Sequence, residues 1–307
     1  MSRHVAVLMG GWSAEREVSL VSGAAVAEAL EQLGHRVSSI DVGRNAGSEI
    51  AELAPDVVFN ALHGRYGEDG CFQGLLEVLG IPYTHSGVLA SALAMDKPVA
   101  KTLFAREGLR CPEGRVVHRD EVLAGQIMEA PYVIKPLNEG SSVGVKIVLS
   151  GDNCEPVDDA PWEFGDEVLV ERYIPGREIQ VAVMGDAALG AIEIRPKGRF
   201  YDYQAKYTEG FAEHLMPAPM APEHYRESLD IALRAHEALG CRGVSRADLR
   251  YDDEAGENGK DGGFYLLEIN TQPGMTPLSL VPEIAAHSGI GFVELVEWML
   301  EDAGCPR

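Results

Sequence analysis

An open parallel α/β sheet followed by two α+β units is the fold class the sequence predicts, and three observations carry it. Strand-like and helix-like segments alternate over residues 1–95, the rhythm of βαβ units. Beyond them, β-branched strands come in neighbouring pairs beside single helices. The chain has 307 residues, 46% of them hydrophobic, which is enough for two or three compact units.

The elements follow in order. HVAVLMG (4–10) reads as a strand, and AEREVSLVSGAAVAEALEQLG (14–34) as a helix ended by Gly34. HRVSSIDV (35–42), DVVFNAL (56–62) and IPYTH (81–85) read as further strands, with GCFQGLLEVLG (70–80) a helix between the last two. MDKPVAKTLFAREG (95–108) is a crossover helix into a second unit, whose strands are APYVIKPL (130–137), GVKIVL (144–149) and EVLVERYI (167–174). The third unit opens with EIQVAVMG (178–185) and AALGAIEIRP (187–196) and continues through an irregular polar and aromatic stretch, 197–223. A helix (223–240), the strands GVSRADLRYD (243–252) and GFYLLEIN (263–270), and a last helix near 291–303 complete it. DDEAGENGKDGG (252–263) has the composition of a polar hairpin tip. Unit boundaries are expected at 1–95, 96–177 and 178–307.

Charge and cysteine usage narrow the function classes. With 48 acidic and 26 basic residues the formal charge is −22, which leaves no general footprint for nucleic acid or an anionic membrane. The five cysteines are scattered and include no CxxC pair, so a reducing cytoplasm is expected and a zinc site is not. MSRHVAVLMGG enters a strand at once, so no secretory leader is expected, and no window has the run of apolar residues a membrane span needs.

Several constellations carry chemistry. In FYLLEIN, Glu268 and Asn270 stand at i and i+2, on one face of a strand. Two oxygen ligands so placed suit a hard cation such as Mg²⁺, although a strand end with solvated polar residues has the same spelling. Arg246 and Asp248 repeat the spacing in GVSRADLRYD. If the two strands pair through the 252–263 hairpin, Asp248 joins Glu268 and Asn270, and Arg246 stands beside them to neutralise a developing anion. VIKPLNEGSSVGVKIV (133–148) places Lys135 before a small, glycine-containing loop. That is either a flexible hairpin or a cover for phosphate oxygens; it is not a Walker A loop. Lys97 is a second candidate phosphate partner, and also an ordinary surface charge by pattern alone. Glu171 and Glu178 flank a Pro-Gly turn where a base and ribose could be gripped. In GGWSAEREVSL (10–20) the glycines and Ser13 form a strand-to-helix turn with a cap, and Glu15 enters the first helical turn. His63, in ALHGRYGEDG (61–70), follows a strand at the sheet end where α/β proteins bind ligands.

Taken in order along the chain, GGWSAEREVSL, ALHGRYGEDG, SGVLASALAMDK, VIKPLNEGSSVGV, FYDYQAKY, RADLRYD, FYLLEINTQPGMT and SLVP resemble the D-alanine–D-alanine ligases of the ATP-grasp superfamily. The resemblance implies a three-unit ATP-grasp architecture: a Rossmann-like N-terminal domain, a small central subdomain and a C-terminal domain. It implies ATP and two Mg²⁺ ions, with Mn²⁺ as a substitute, small-molecule substrates, a homodimer, and a cytoplasmic role in peptidoglycan synthesis. Two D-alanines are joined through an acyl phosphate. Lys97, Lys135 and Lys206 would contact phosphates, with Ser142 in the loop above them, while Glu171 and Glu178 hold adenine and ribose. Asp248, Glu268 and Asn270 would hold the metal. Glu15 would bind the first ammonium, with His63 near its carboxylate. Arg246 and the Gly274 N–H would stabilise the oxyanion, and Ser279 and the Leu280 N–H would take the second carboxylate. Ser141 and Tyr207 would join Glu15 in a closure across the domains, and residues 199–215 would form a lid that excludes water.

FYDYQAKY with Tyr207 resembles the dipeptide-forming lid, where lactate-forming relatives carry a His. Alternatives are a related ligase with D-lactate, D-serine or another amino acid second, and an inactive nucleotide-binding scaffold. Tyr66, Gln272 and the Pro277-Leu278 pair depart from the family's usual residues, and the last lies beside the expected second-substrate site.

Overall fold

The computed structural model describes residues 2–125, 127–140, 144–151, 165–197, 210–253 and 262–305. Its first sheet is parallel, in the order β2-β1-β3, from β1 (His4–Met9), β2 (Arg36–Asp41) and β3 (Val57–Asn60). Both faces of β1 are buried, as a parallel strand with helices on each side requires. Val5, Val7 and Met9 pack with Val26 and Leu30 of α1 (Arg16–Gln32). Ala6 and Leu8 pack with Ile50 of α2 (Ala46–Leu53) and Leu76 of α3 (Cys71–Leu79).

IPYTH is not a strand. Tyr83 alone makes bridges, to Val58 and to Gly304. Pro82 has no N–H to give, and His85 sits at φ 69°, which ends the extended run. Helices α2 and α4 (Val88–Met95) are additions to the elements read from the sequence. The crossover helix α5 (Lys97–Arg106) is present and is capped by Asp96, whose side chain accepts from Val99 N at 3.1 Å.

The second sheet is antiparallel, in the order β4-β7-β5-β6: β4 (Gly114–His118), β5 (Tyr132–Pro136), β6 (Lys146–Val148) and β7 (Glu167–Arg172), with the short α6 (Arg119–Leu123) after β4. Its small core is Val117, Val122, Tyr132, Ile134, Val168 and Val170. The third sheet runs β10-β9-β8-β11-β12, from β8 (Arg177–Met184), β9 (Ala187–Pro196), β10 (Ala212–Leu215), β11 (Val244–Asp252) and β12 (Gly263–Asn270). β10 corrects the irregular reading of 199–215: its last four residues form an edge strand on β9. The polar AEHL has little strand signal of its own, and the partner decides.

One face of the third sheet packs on α7 (Pro222–Ala238) and on Phe104 of α5. The other packs on α8 (Leu280–His287), a helix the sequence does not announce. There Ile192 and Ile284 share one buried cluster with Val5, Phe59 and with Met299 of α9 (Phe292–Asp302). The last two helices therefore weld the parallel sheet to the third sheet, and the site lies along the junction.

Candidate active site

β11 and β12 pair antiparallel, with Asp248 opposite Glu268 and Arg246 opposite Asn270. The register then slips, so that Leu249 faces Leu266 and Leu267 is the extra residue of a bulge. Arg246 grips Asp248 with two hydrogen bonds, Nε to Oδ1 at 2.7 Å and Nη2 to Oδ2 at 3.0 Å. Lys97, at the start of α5, donates to the Glu139 carbonyl at 2.5 Å and lies 3.7 Å from Glu268 Oε2. Burial, against the pull of Glu268, holds its pKa below the ordinary lysine value, with Lys135 adding to the effect.

Asp248, Glu268 and the Asn270 amide form an all-oxygen donor set on adjacent strands, the kind Mg²⁺ takes. Among the described residues no three His, Cys, Asp or Glu side chains gather about one point, and the Asn270 amide is the neutral oxygen that would complete the set. The set fits a hard cation whose remaining positions go to water or phosphate oxygens.

Lys135 of β5 reaches Glu171 Oε2 at 2.5 Å, and Lys101 of α5 reaches Oε1 of the same carboxylate. All three side chains are largely withdrawn from solvent. Burial alone would raise the Glu171 pKa, but the two ammonium groups overcome it and hold the carboxyl below its usual range. Reasoning from the sequence misses Lys101. The signal that could find it is the i, i+4 spacing from Lys97, which puts both lysines on one side of the helix. Glu178 on β8 lies 3.6 Å from Arg250 Nη1 and accepts from Gln180 Nε2 at 3.3 Å.

The N-terminal segments close the other end. Glu15 is the N-cap residue of α1 and is buried. Ser13, expected as the cap, instead donates to the His63 carbonyl at 2.7 Å and accepts from Glu15 N at 3.2 Å. Gly64 and Gly140 crowd the Glu15 carboxylate: a Cβ would stand 2.7 Å and 3.1 Å, respectively, from its Oε2. The loops after β3 and β5 thus both approach Glu15 closely, and at Gly64 the φ of 68° favours glycine as well. His63 Nδ1 bonds Glu68 Oε1 at 3.0 Å, and Nε2 bonds Ser22 Oγ at 3.2 Å. Burial pulls the His63 pKa down, but the bond to Glu68 and the charges of Glu68 and Glu15 prevail and raise it.

On the opposite wall the turn after β12 folds onto the start of α8. Ser279 is the N-cap of α8, and its hydroxyl accepts from Thr276 N at 2.9 Å. A Cβ at Gly274 would meet Ser279 Oγ at 2.8 Å, so a larger residue there would displace the hydroxyl that caps the turn. Leu280 begins the helix, where backbone N–H groups favour an anion. Ser141, Ser142, Lys206 and Tyr207 lie outside the described residues, as does most of the expected lid.

Two cavities meet at this junction. Glu15, His63, Arg246, Gly274 and Ser279 line one. Lys135, Glu171, Glu178 and Asp248 line the other, with Val133, Ile147 and Leu267 as apolar wall. Both include Lys97, Glu139 and Glu268. A polar compartment thus opens onto a larger one through a gate of cation and carboxylate.

Two antiparallel sheets facing across a cleft of paired lysines, arginines and carboxylates, with a parallel-sheet unit closing its end, define an enzyme of the ATP-grasp type. Comparison with known proteins narrows the class. The family model described as D-ala D-ala ligase C-terminus matches residues 112–301, and the one for the N-terminus matches 43–86. A D-alanine–D-alanine ligase of Parvibaculum lavamentivorans is 58% identical, over 100% of this chain and 99% of the relative. The crystal structure of a D-alanine–D-alanine ligase from Bacillus anthracis superposes with TM-score 0.82 at 33% identity, over 98% of this chain and 97% of that one. Its complex with ATP superposes at 0.79 with the same identity and coverage. A D-Ala:D-Ser ligase from Enterococcus faecalis superposes at 0.78 with 29% identity, over 98% and 99%. The chain belongs to the D-alanine–D-alanine ligase family.

Proposed function

We propose that this protein uses ATP to join two D-alanine molecules, forming D-alanyl-D-alanine, ADP and phosphate for peptidoglycan precursor synthesis. The observation that carries the reading is the meeting of the two cavities at Lys97 and Glu268. A phosphoryl group held there faces a carboxylate held in the polar compartment.

The larger cavity takes ATP, in keeping with the ATP complex of the Bacillus anthracis relative. Val133, Ile147 and Leu267 offer an apolar surface to the base, Glu171 and Glu178 its polar contacts, and Lys97 and Lys135 the cations for the phosphates. Asp248, Glu268 and Asn270 hold Mg²⁺, which when bound supplies charge neutralisation for the phosphate oxygens. Glu15 takes the first ammonium, with His63 by its carboxylate. That carboxylate attacks the γ-phosphorus, expelling ADP and giving an acyl phosphate. The second D-alanine, its carboxylate at Ser279 and the N-terminal end of α8, attacks the acyl carbon through its amine, and phosphate leaves. Arg246 and the Gly274 N–H face the tetrahedral oxyanion. Phosphoryl transfer between two anions is limited by charge, so positioned cations do most of the work.

Ser141, Ser142, Lys206 and Tyr207 are assigned to loop and lid roles on family resemblance, as are the homodimer and the cytoplasmic location. The division into units at 1–95, 96–177 and 178–307 belongs to the same proposal. Among the described residues no helix is long and apolar enough to cross a membrane. The test is phosphate release with ATP, Mg²⁺ and D-alanine, alone and in competition with D-lactate and D-serine, followed by product mass. A product of the mass of D-alanyl-D-alanine is expected in each mixture, and its absence with D-alanine alone sinks the reading.

A further inference from the structure

The turn after β12 and the loop after β3 are more than 200 residues apart in the chain, yet a buried knot of amides ties them together. Gln272 is 1% exposed. Its Nε2 donates to the Leu62 carbonyl, and its Oε1 accepts from Asn60 Nδ2 at 3.0 Å and Gln73 Nε2 at 3.3 Å. The same two donors also hold the Gly67 carbonyl, at 3.2 Å and 2.8 Å. Asn60 Oδ1 in turn accepts from Leu62 N at 3.2 Å, so the knot closes on itself. All three side chains are buried.

Gln272 lines neither cavity, whereas Thr271 and Gly274 on either side of it line the polar one. Its backbone N–H donates to Asn270 Oδ1 at 2.8 Å, and Gly274 lies two residues further along. On the other side of the knot, Leu62 is followed directly by His63. A second tie runs alongside: Ser22 Oγ accepts from Met275 N at 3.2 Å and bonds His63 Nε2. Loops are the mobile parts of a fold, and here two of them carry opposite walls of one cleft. Buried, hydrogen-bonded networks are what make such a pair rigid.

We infer that Gln272 is a positioning residue, setting the distance between His63 on one wall of the polar compartment and the Gly274–Ser279 turn on the other. This rests on the proposed reading of that compartment as the site of both D-alanines. A short side chain at 272 leaves the Leu62 carbonyl without the amide that donates to it and the Asn60 and Gln73 amides with the Gly67 carbonyl in place of two acceptors.

The test compares the full-length wild type with Gln272→Met, which keeps the side chain's length and removes its amide. D-alanine is varied at saturating ATP, and ATP at saturating D-alanine. The expected result is a rise of about tenfold in KM for D-alanine with KM for ATP changed by less than about twofold, the scale on which displaced binding groups act. Gln272→Glu keeps an acceptor for Asn60 and Gln73 and gives an intermediate value. A folded Gln272→Met enzyme with both constants unchanged, or with both raised together, overturns the inference. If Gln272→Met does not fold, Gln73→Met removes one donor from the same oxygen and gives the same split at smaller size; equal effects on both constants overturn the inference there too. Amide exchange of the ligand-free protein separates the inference from the reading it rests on. Loss of the knot speeds exchange over 62–67 and 271–276 together while β5 is unchanged, and no such paired change overturns the inference whatever the substrate. A wild type that makes no dipeptide from D-alanine sinks only the reading of the compartment.

Discussion

The two compartments of the cleft are built by different means. In the proposed nucleotide compartment the charged groups ride on strands and on one helix, and they neutralise one another: Lys101 and Lys135 on Glu171, Arg250 near Glu178, with Lys97 near Glu268 where the two cavities meet. In the proposed amino-acid compartment most of the groups ride on loops, Arg246 on β11 being the exception. These loops are held largely by neutral side chains, namely Ser13 on the His63 carbonyl, Ser22 on His63 and Met275, and Gln272 with Asn60 and Gln73, while Glu68 is the charged partner of His63. The difference follows from what each must do. Strand-borne charges keep their spacing while a polyanion displaces their partners. Loop-borne contacts shape a pocket for a small zwitterion, and a stiff, mostly neutral scaffold does so while adding little charge.

Two substitutions probe this contrast. Glu268→Gln removes a carboxylate from the strand-borne set. The Mg²⁺ concentration for half-maximal turnover is expected to rise about a hundredfold or more, since even outer partners of a metal site are worth about 10–100-fold. Thermal unfolding monitored in parallel should change little, and unchanged Mg²⁺ dependence would remove the metal assignment. Lys101→Met leaves Lys135 as the sole cation on Glu171 and so holds it back from phosphate. KM for ATP is expected to rise about tenfold, the scale of one charge-assisted hydrogen bond, with KM for D-alanine unmoved. Equal rises in both constants would count against separate construction of the two compartments.

The smallest effect is read from pH. His85 is fully buried behind β3, its ring edge-on to Phe59, and burial pushes its pKa down to about 3. The unfolded chain protonates this residue near pH 6.5 and the folded one does not, so the unfolded state binds the extra proton and acid destabilises the fold. The slope from this group grows as pH falls below 6.5 and approaches that of one full proton, roughly 1 kcal/mol per pH unit, between about pH 5.5 and 4. His85→Asn tolerates the positive φ and removes that slope, which urea unfolding at pH 4.5, 5.5 and 6.5 would register. The nucleotide compartment adds a second, more acidic limb. The lowered Glu171 pKa contributes stability above the usual carboxylate range, and this is lost as pH falls through its folded value.

The same contrast sorts what is legible in the sequence from what is not. Alternation in VSRADLRYD and FYLLEIN puts Arg246 with Asp248, and Glu268 with Asn270, on one face of each strand, and the two strands pair with Asp248 opposite Glu268. Strand residues obey a period of two, so two such strings suffice once their pairing is assumed. Lys101 is readable in principle from its helical spacing to Lys97, but its meaning requires Glu171, which arrives from a different sheet. Gln272 stands out in the sequence only as an unusual residue near the substrate end. It is a buried anchor, because its partners at 60, 62 and 73 lie at no fixed offset from it. IPYTH fails as a strand for a similar reason, since its pairing depends on what Pro82 and His85 allow locally.

Strands and helices with strong periodicity, the cation-rich motifs and the oxygen donors on β11 and β12 are therefore written in the sequence, since each is a property of a short window with a regular repeat. Three features come only from the folded chain: Lys101 shares Glu171 with Lys135, α8 and α9 weld the first and third sheets, and an amide at 272 spans from one wall of the cleft to the other. Those are contacts between segments far apart in the chain, and no local period encodes which buried donor will meet which buried acceptor.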